Sequence, residues 1–358
     1  MINEERLNRI IVNMKEQRLS QILITSDTAF KYLIGMEIKP MERAAAILVK
    51  DNGDVHAYMN DLFCVEPIDG VKMHYYADSD DPYALIGREL APGKLGVDDA
   101  WMAKHLLSLI AVRPDVTPVR GSAPVDVARE CKAADELDKL RRASAVNDKA
   151  VSFAIKTIAP DVDELTLADS IEEFFEQNGA ASEGQFQICC FGTGAAEPHH
   201  EPEKGRFIRE GECCLIDICA PIDGYWCDMT RTVFYKSVSD EHRKIYEVVK
   251  AAQQAGIDFV RPGIKMCDVD KTVRKVIEDA GYGEYFLTRT GHGIGMSVHE
   301  PPFADAKDQT IAKPGMVFSI EPGIYIKGDV GVRIEDLVIV TEDGCEVLTK
   351  YPKELIVV

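Results

Sequence analysis

Positive charge is what this 358-residue sequence is short of: 41 Lys and Arg stand against 60 Asp and Glu, a net charge of −19. Phosphate binding needs a basic face, so the deficit argues against holding nucleic acid or an anionic membrane by charge. Long apolar runs are missing as well; none approaches the roughly 18 residues that span a bilayer. The opening Met1-Ile2-Asn3-Glu4-Glu5-Arg6 is charged and lacks the apolar core of a secretory signal, which predicts a cytoplasmic protein. None of the ten cysteines forms a Cys-x-x-Cys pair, so no structural zinc site is expected. Several lie in apolar stretches such as Gln187-Ile188-Cys189-Cys190-Phe191, and they read as reduced thiols that fill a core. No internal repeat, no low-complexity segment and, in the first third, no phosphate-binding glycine loop is visible. What is present is 46% hydrophobic and 28% charged residues, a globular composition that excludes disorder, collagen and coiled coil. The length suggests two or three domains.

The first third alternates strands and helices. Leu7, Ile10, Ile11 and Met14 space a surface helix over 4–18. Strands are expected at 21–25, 44–49, 55–59 and 94–97, with a turn at 51–54 and a helix over 99–111. This mixture predicts a compact α/β domain. Three prolines and a Gly-Ser pair place a boundary near 114–127. A long amphipathic helix then carries Leu137, Leu140, Ala143, Val146, Ala150 and Phe153. Thr166 caps a helix over 167–178 that Gly179 stops. Short strands follow, with helices at about 239–260 and 267–280, so the second part is α+β with much antiparallel pairing.

Chemistry concentrates in this second part. In Leu215-Ile216-Asp217-Ile218-Cys219 and Tyr225-Trp226-Cys227-Asp228 two strands flank an Asp223-Gly224 turn, and a hairpin returns Asp228 beside Asp217. A carboxylate in an apolar strand is costly unless paired. Two of them either share a proton or bind cations, unless one caps the turn and the other pairs with Arg231. The stretch Thr290-Gly291-His292-Gly293-Ile294-Gly295 precedes His299-Glu300; its glycines permit close backbone approach and leave the imidazole unobstructed. Glu321 and Glu335 each end an apolar run, Val317-Phe318-Ser319-Ile320 and Gly331-Val332-Arg333-Ile334. Arg333 or Arg231 would neutralise one glutamate, not two together with two aspartates and a histidine. Oxygen-rich ligands around two divalent cations account for all five.

The order Asp217, Asp228, His292, Glu321, Glu335, with these flanking sequences, closely resembles the pita-bread metallopeptidases, the family of methionine aminopeptidase, aminopeptidase P and prolidase. The resemblance covers residues 129–358; length and the α/β first part are similar to the bacterial Xaa-Pro branch. It implies an α+β fold with a creatinase/prolidase N-terminal-like α/β domain at 1–128 and a pita-bread catalytic domain at 129–358. It implies hydrolysis of the bond N-terminal to proline in Xaa-Pro dipeptides or short peptides, through a hydroxide that bridges two metals. Asp217 would be bidentate on one metal, Asp228 and Glu335 would bridge, and His292 and Glu321 would complete the second. Glu321 would also shuttle a proton to the leaving amine, and His299 would hydrogen-bond the carbonyl or its tetrahedral intermediate. His199, rather than its neighbour His200, matches the family's other active-site histidine. Arg333 would orient Glu335 and adjacent carboxylates by a bidentate bond and help hold a substrate carboxylate. Hard oxygen ligands with one imidazole suit Mn²⁺ and tolerate Co²⁺, Zn²⁺ or Fe²⁺. A homodimer is implied by the family.

Three departures bear on substrate. Thr288 stands where the Xaa-Pro enzymes usually carry a histidine on the proline side, Cys219 stands where the family has Gly, and Gly192-Thr193-Gly194-Ala195-Ala196 lacks the usual Asn. The alternative activities on this fold are hydrolysis of a non-peptide C–N bond, as in creatinase, and a non-catalytic binding role. Creatinase lacks the metals, and binding relatives have lost ligands; here the full set stands.

Overall fold

The computed structural model describes residues 1–182 and 184–358. The chain divides into two compact units, Met1–Arg129 and Glu130–Val358.

The first unit holds six strands, β1 (Gln21–Ile24), β2 (Ala46–Lys50), β3 (Val55–Asn60), β4 (Lys72–Tyr76), β5 (Gly93–Val97) and β6 (Val116–Arg120), in one sheet of order β4-β3-β2-β1-β5-β6. Pairing is antiparallel among β1, β2 and β3 and parallel elsewhere. The three central strands are buried along almost their whole length, which is why they read as continuous apolar runs rather than alternations. Helices α1 (Glu4–Glu16), α2 (Asp27–Ile34), α3 (Pro82–Glu89), α4 (Ala103–Val112) and α5 (Ala123–Glu130) complete the unit. The stretch 114–127, near which a boundary is expected, folds as strand β6 and most of α5, and the division between the units falls just after it. Pro118 is tolerated because β6 lies at the sheet edge, where a missing N–H breaks no ladder.

The second unit opens with α6 (Ala134–Thr157) and α7 (Glu164–Gln177). Asp163, not Thr166, caps α7: its Oδ1 accepts from the Thr166 N–H at 2.8 Å. Strands β7 (Phe186–Phe191), β8 (Cys213–Ile222) and β9 (Tyr225–Phe234) form an antiparallel sheet against which α6 packs Ala143, Ala150, Val151 and Ala154. The α8 (Asp240–Phe259) and α9 (Met266–Asp279) pair follows. Then come β10 (Gly291–Gly293), β11 (Glu300–Ala304), β12 (Val317–Ile320), β13 (Gly323–Ile326), β14 (Val330–Arg333), β15 (Asp336–Val340) and β16 (Cys345–Val347). Five of these make a sheet of order β11-β10-β12-β15-β16, and β13 pairs with β14.

The β8–β9 turn has positive φ at both Asp223 and Gly224, +52° and +77°, the two-residue turn whose twist suits a hairpin. It sets Asp217 opposite Thr230 and Cys219 opposite Asp228. Directly opposed residues share a face and the face repeats every second residue, so Asp217, Cys219, Asp228 and Thr230 all project to one side. All ten cysteines are free, and six are buried; burial pushes the Cys213 thiol up to about 11 and Cys227 up to about 12. No helix among the described residues is long and apolar enough to cross a membrane.

Candidate metal centre

Five acidic or imidazole side chains converge from separate segments. Asp217 and Asp228 come from the hairpin face. His292 lies in β10, Glu321 between β12 and β13, and Glu335 between β14 and β15. Backbone bonds pin the two glutamates: the Glu321 N–H donates to Thr290 O at 2.8 Å, the Glu335 N–H to Thr230 O at 3.1 Å. Gly291 has to be glycine, because a Cβ there would stand 1.9 Å from Ser319 O. That close approach seats the His292 strand against β12.

Asp228, His292 and Glu335 each offer a donor atom within 4.8 Å of the others. His292 Nε2 also lies 3.2 Å from Glu321 Oε1 and 3.7 Å from Asp228 Oδ2. Its Nδ1 faces Gly293 O at 3.1 Å. A carbonyl only accepts, so Nδ1 carries the proton and Nε2 turns its lone pair toward the carboxylates. Burial drives the His292 pKa down to about 4, which keeps the ring neutral. Burial first, then the neighbouring acids, raise the Asp228 and Glu335 carboxyls well above their usual range. Burial and Asp217 raise Glu321 to about 6 against the lowering pull of Arg333.

One nearby countercharge is committed outside the cluster, and the other pairs with a single member of it. Arg231 pairs with Asp336 at 2.7 Å, and Arg333 pairs with Asp217. Arg333 therefore does not grip Glu335 directly, contrary to the bidentate expectation. Its Nε donates to Thr230 Oγ1 at 3.1 Å, and that hydroxyl donates to Glu335 Oε2 at 2.8 Å. A third contact, from Nη1 to the Tyr325 hydroxyl at 2.7 Å, fixes the guanidinium plane. Glu335 Oε1 is buried with no hydrogen-bond partner among the described residues. Four carboxylates, a neutral imidazole lone pair and an orphaned buried oxygen are a donor set that fits divalent cations; without them the carboxylates repel.

The remaining sequence-predicted residues surround this cluster. His299 packs edge-on against His292 with ring centroids 4.1 Å apart. Partial burial, His292 and Arg289 lower its pKa to about 4. His199 is exposed and follows Pro198, whose carbonyl accepts from Arg333 Nη2 at 3.4 Å. His200 turns away to Glu164, 3.3 Å from Nε2 to Oε2. Cys219 sits on the carboxylate face, its Sγ 3.6 Å from Phe186 O, and Thr288 Oγ1 is buried without a hydrogen-bond partner among the described residues.

Sequence reasoning missed four supporting residues. Thr230 relays between Arg333 and Glu335. Ser319 accepts from the His292 N–H at 3.0 Å and donates to Glu321 Oε1 at 2.9 Å. Lys132 and Glu300 form an ion pair at 2.9 Å with side chains only 2% and 4% exposed. A Cβ on Gly295 would stand 2.5 Å from Glu300 Oε1 and 3.0 Å from Lys132 Cε, so this pair underlies the loop that leads to His299. The available signal for Thr230 and Ser319 is spacing: each lies two residues from a carboxylate in a strand, hence on its face.

Comparison with known proteins agrees along the whole chain. Residues 138–342 match Metallopeptidase family M24, and residues 6–131 match the Creatinase/Prolidase N-terminal domain. A Mycobacterium tuberculosis protein named probable dipeptidase PepE is 36% identical over 349 residues, 95% of this chain and 92% of that one. The crystal structure of prolidase from Thermococcus sibiricus superposes with a TM-score of 0.92 at 32% identity, covering 100% of both chains. That of an Xaa-Pro dipeptidase from Bacillus anthracis does so at 0.89 and 29% identity, covering 99% of each. With a creatinase-type N-terminal domain ahead of a pita-bread domain that gathers these carboxylates, the chain belongs to metallopeptidase family M24.

Proposed function

We propose that the protein is a metal-dependent Xaa-Pro peptidase that hydrolyses the peptide bond on the N-terminal side of proline. The observation that carries the metal dependence is the orphaned Glu335 Oε1 beside Asp228 and the His292 lone pair. The names of the relatives, prolidase and Xaa-Pro dipeptidase, support the substrate class. Asp217, Asp228, His292, Glu321 and Glu335 would hold two divalent cations, Mn²⁺ by the chemistry of the set. When bound, such ions supply Lewis acidity and lower the pKa of water to near neutrality.

The protein's own groups account for the rest. Glu321 is placed to take a proton from the attacking water and return it to the leaving amine. His299 is neutral near neutral pH and offers a ring N–H to the scissile carbonyl oxygen, stabilising charge as it develops there. Arg333 holds Asp217 and, through Thr230, Glu335 in register. His199 stands at the exposed rim, where it reaches substrate.

The test is a panel of Leu-Pro, Met-Pro, Leu-Leu and longer Xaa-Pro peptides with Mn²⁺-loaded protein. Cleavage confined to proline peptides and abolished by chelation is expected. Failure to cleave any proline peptide with bound metal verified would overturn the reading and turn attention to a non-peptide C–N substrate.

A further inference from the structure

A buried carboxylate outside the metal cluster holds one loop at three points. Glu164 is the first residue of α7, and its side chain is 0% exposed. Its Oε1 accepts from the Phe191 N–H at 2.5 Å. Its Oε2 accepts from the Glu203 N–H at 3.0 Å and lies 3.3 Å from His200 Nε2. An ionised carboxylate only accepts, so Nε2 carries the proton in that contact. Phe191 ends β7 and Glu203 lies on the returning arm, so this side chain closes both ends of the 192–202 loop and grips it near the middle. Taking a carboxylate out of water is costly, and every hydrogen bond that this one makes among the described residues goes to that loop or its two ends.

The loop is shaped to present His199. Gly192–Ala196 is a short helical turn that lies against β14, where Gly331 leaves room for the Ala195 carbonyl. Glu197-Pro198-His199-His200 is then a tight turn, closed by the His200 N–H donating to Glu197 O at 3.1 Å, with proline at the second position, where its fixed φ is preferred. His199 is the third residue of the turn and is exposed. His200 is the last, and its ring points the other way, with only 13% of the side chain exposed. The turn is therefore held on one side by Glu164 through His200 and on the other by Arg333 Nη2, which donates to Pro198 O at 3.4 Å. A cavity of about 320 Å³ lined by Thr193, Glu197, His200, Glu203 and Lys327 opens beside the pair. Without the Glu164 contact the ring and its turn have space to shift into.

We propose that Glu164 and His200 are positioning residues of the peptidase, a buried latch that fixes the 192–202 loop so that His199 keeps its ring at the substrate-facing rim of the metal centre. This rests on the peptidase reading above. Neither member of the latch touches substrate. The two adjacent histidines divide the work: His199 faces outward to the substrate and His200 faces inward as its anchor. A displacement of about 1 Å at a group that meets substrate costs up to about 100-fold in rate, so the latch acts on turnover while leaving the metal ligands alone.

The experiment is a double-mutant cycle on Leu-Pro with Mn²⁺-loaded wild type, His200→Leu, His199→Ala and the double variant, together with His200→Gln, whose amide N–H reaches toward Glu164 as the imidazole does. His200→Leu is expected to lower kcat/KM by about 10- to 100-fold, with Mn²⁺ affinity as in wild type. In the His199→Ala background the same change is expected to alter kcat/KM by no more than about twofold, because it acts through a group already removed. His200→Gln is expected to retain part of the activity. Equal fold losses in both backgrounds, a matching fall in Mn²⁺ affinity, or wild-type kcat/KM in His200→Leu overturns the assignment. Amide hydrogen exchange gives a readout that needs no substrate: exchange over 191–203 is expected to quicken by about tenfold or more in His200→Leu, while β8 stays as in wild type. Unchanged exchange over 191–203 overturns the latch. If wild type cleaves no proline peptide, the peptidase reading fails, and the exchange measurement still decides whether Glu164 and His200 hold the loop.

Discussion

Replacing Asp228 by Asn should make the metal-stripped protein more stable, although it damages the site. Asp228 and Glu335 are buried, with facing oxygens within 4.8 Å. At an effective dielectric constant of about 20, two charges at that separation repel by about 3.5 kcal/mol. Wild type evades part of this by retaining a proton, so the gain from the isosteric, neutral Asn is about 2–3 kcal/mol at pH 8. For a unit of this size that corresponds to roughly 4–12 °C in melting temperature. The pH dependence has a definite sign. Folding raises the Asp228 carboxyl, so the stabilisation that comes from holding its proton is complete below the unfolded value near ~4 and is lost as pH rises through the folded value. The Asn variant lacks this loss, and the gap between the two proteins widens from pH 5 to pH 8. With Mn²⁺ the order reverses, since wild type gains about 2.7 kcal/mol per site at a hundredfold excess over Kd and the variant has lost a ligand. Thermal unfolding followed by circular dichroism, after chelation and again after reloading, reads all of this. A stripped Asn variant that melts below stripped wild type at pH 8 would refute the electrostatic account.

Three further expectations follow from the surroundings of the cluster. Lys132→Met leaves Glu300 charged in a buried place without its cation and should cost about 3–5 kcal/mol in urea unfolding, with a drop in kcat because the loop to His299 loses its support; Glu300→Gln on top of it should restore part of the stability. Gly331→Ala would put a Cβ 1.7 Å from Ala195 O and should yield little folded protein, whereas Gly344→Ala, with open space around it, should stay within about 0.5 kcal/mol of wild type. Thr230→Val removes the hydroxyl between Arg333 and Glu335 and should weaken Mn²⁺ binding by about 10- to 100-fold, measured by metal titration of the stripped protein.

The parts of this architecture that could be read in the sequence are those where local chemistry and global fold coincide. Asp223-Gly224 between two apolar strands specifies a hairpin, and its register follows from the turn, so the approach of Asp228 to Asp217 was legible. The glycines around His292 announced a close backbone approach, and Gly291 against Ser319 is that approach. Elsewhere local signals misled. Prolines and a Gly-Ser pair over 114–127 spell a break by composition, and the units do divide just beyond it, but the stretch itself is ordered: an edge strand accepts proline, and edge position is a property of the assembled sheet. Thr166 resembles a helix cap as well as Asp163 does, and only the turn geometry decides between them. Arg333 stands two residues from Glu335, which invites a direct bond; the strand pairing sends its guanidinium to Asp217 and Tyr325 instead. Thr230 is an ordinary strand former until pairing puts it beside Glu335.

The five clustered side chains are drawn from stretches spread between Asp217 and Glu335, three on strands and two on the links between strands. Ions bound among them would act as removable staples closing loops of tens of residues, which restricts the opening of the second unit far more than any one contact in it. Whether a given molecule has acquired its metal is thereby written into how often that unit opens. A cellular protease that samples such openings would clear unloaded copies ahead of loaded ones, so the same mutual repulsion that prepares the carboxylates for cations also marks for disposal the molecules that never received them.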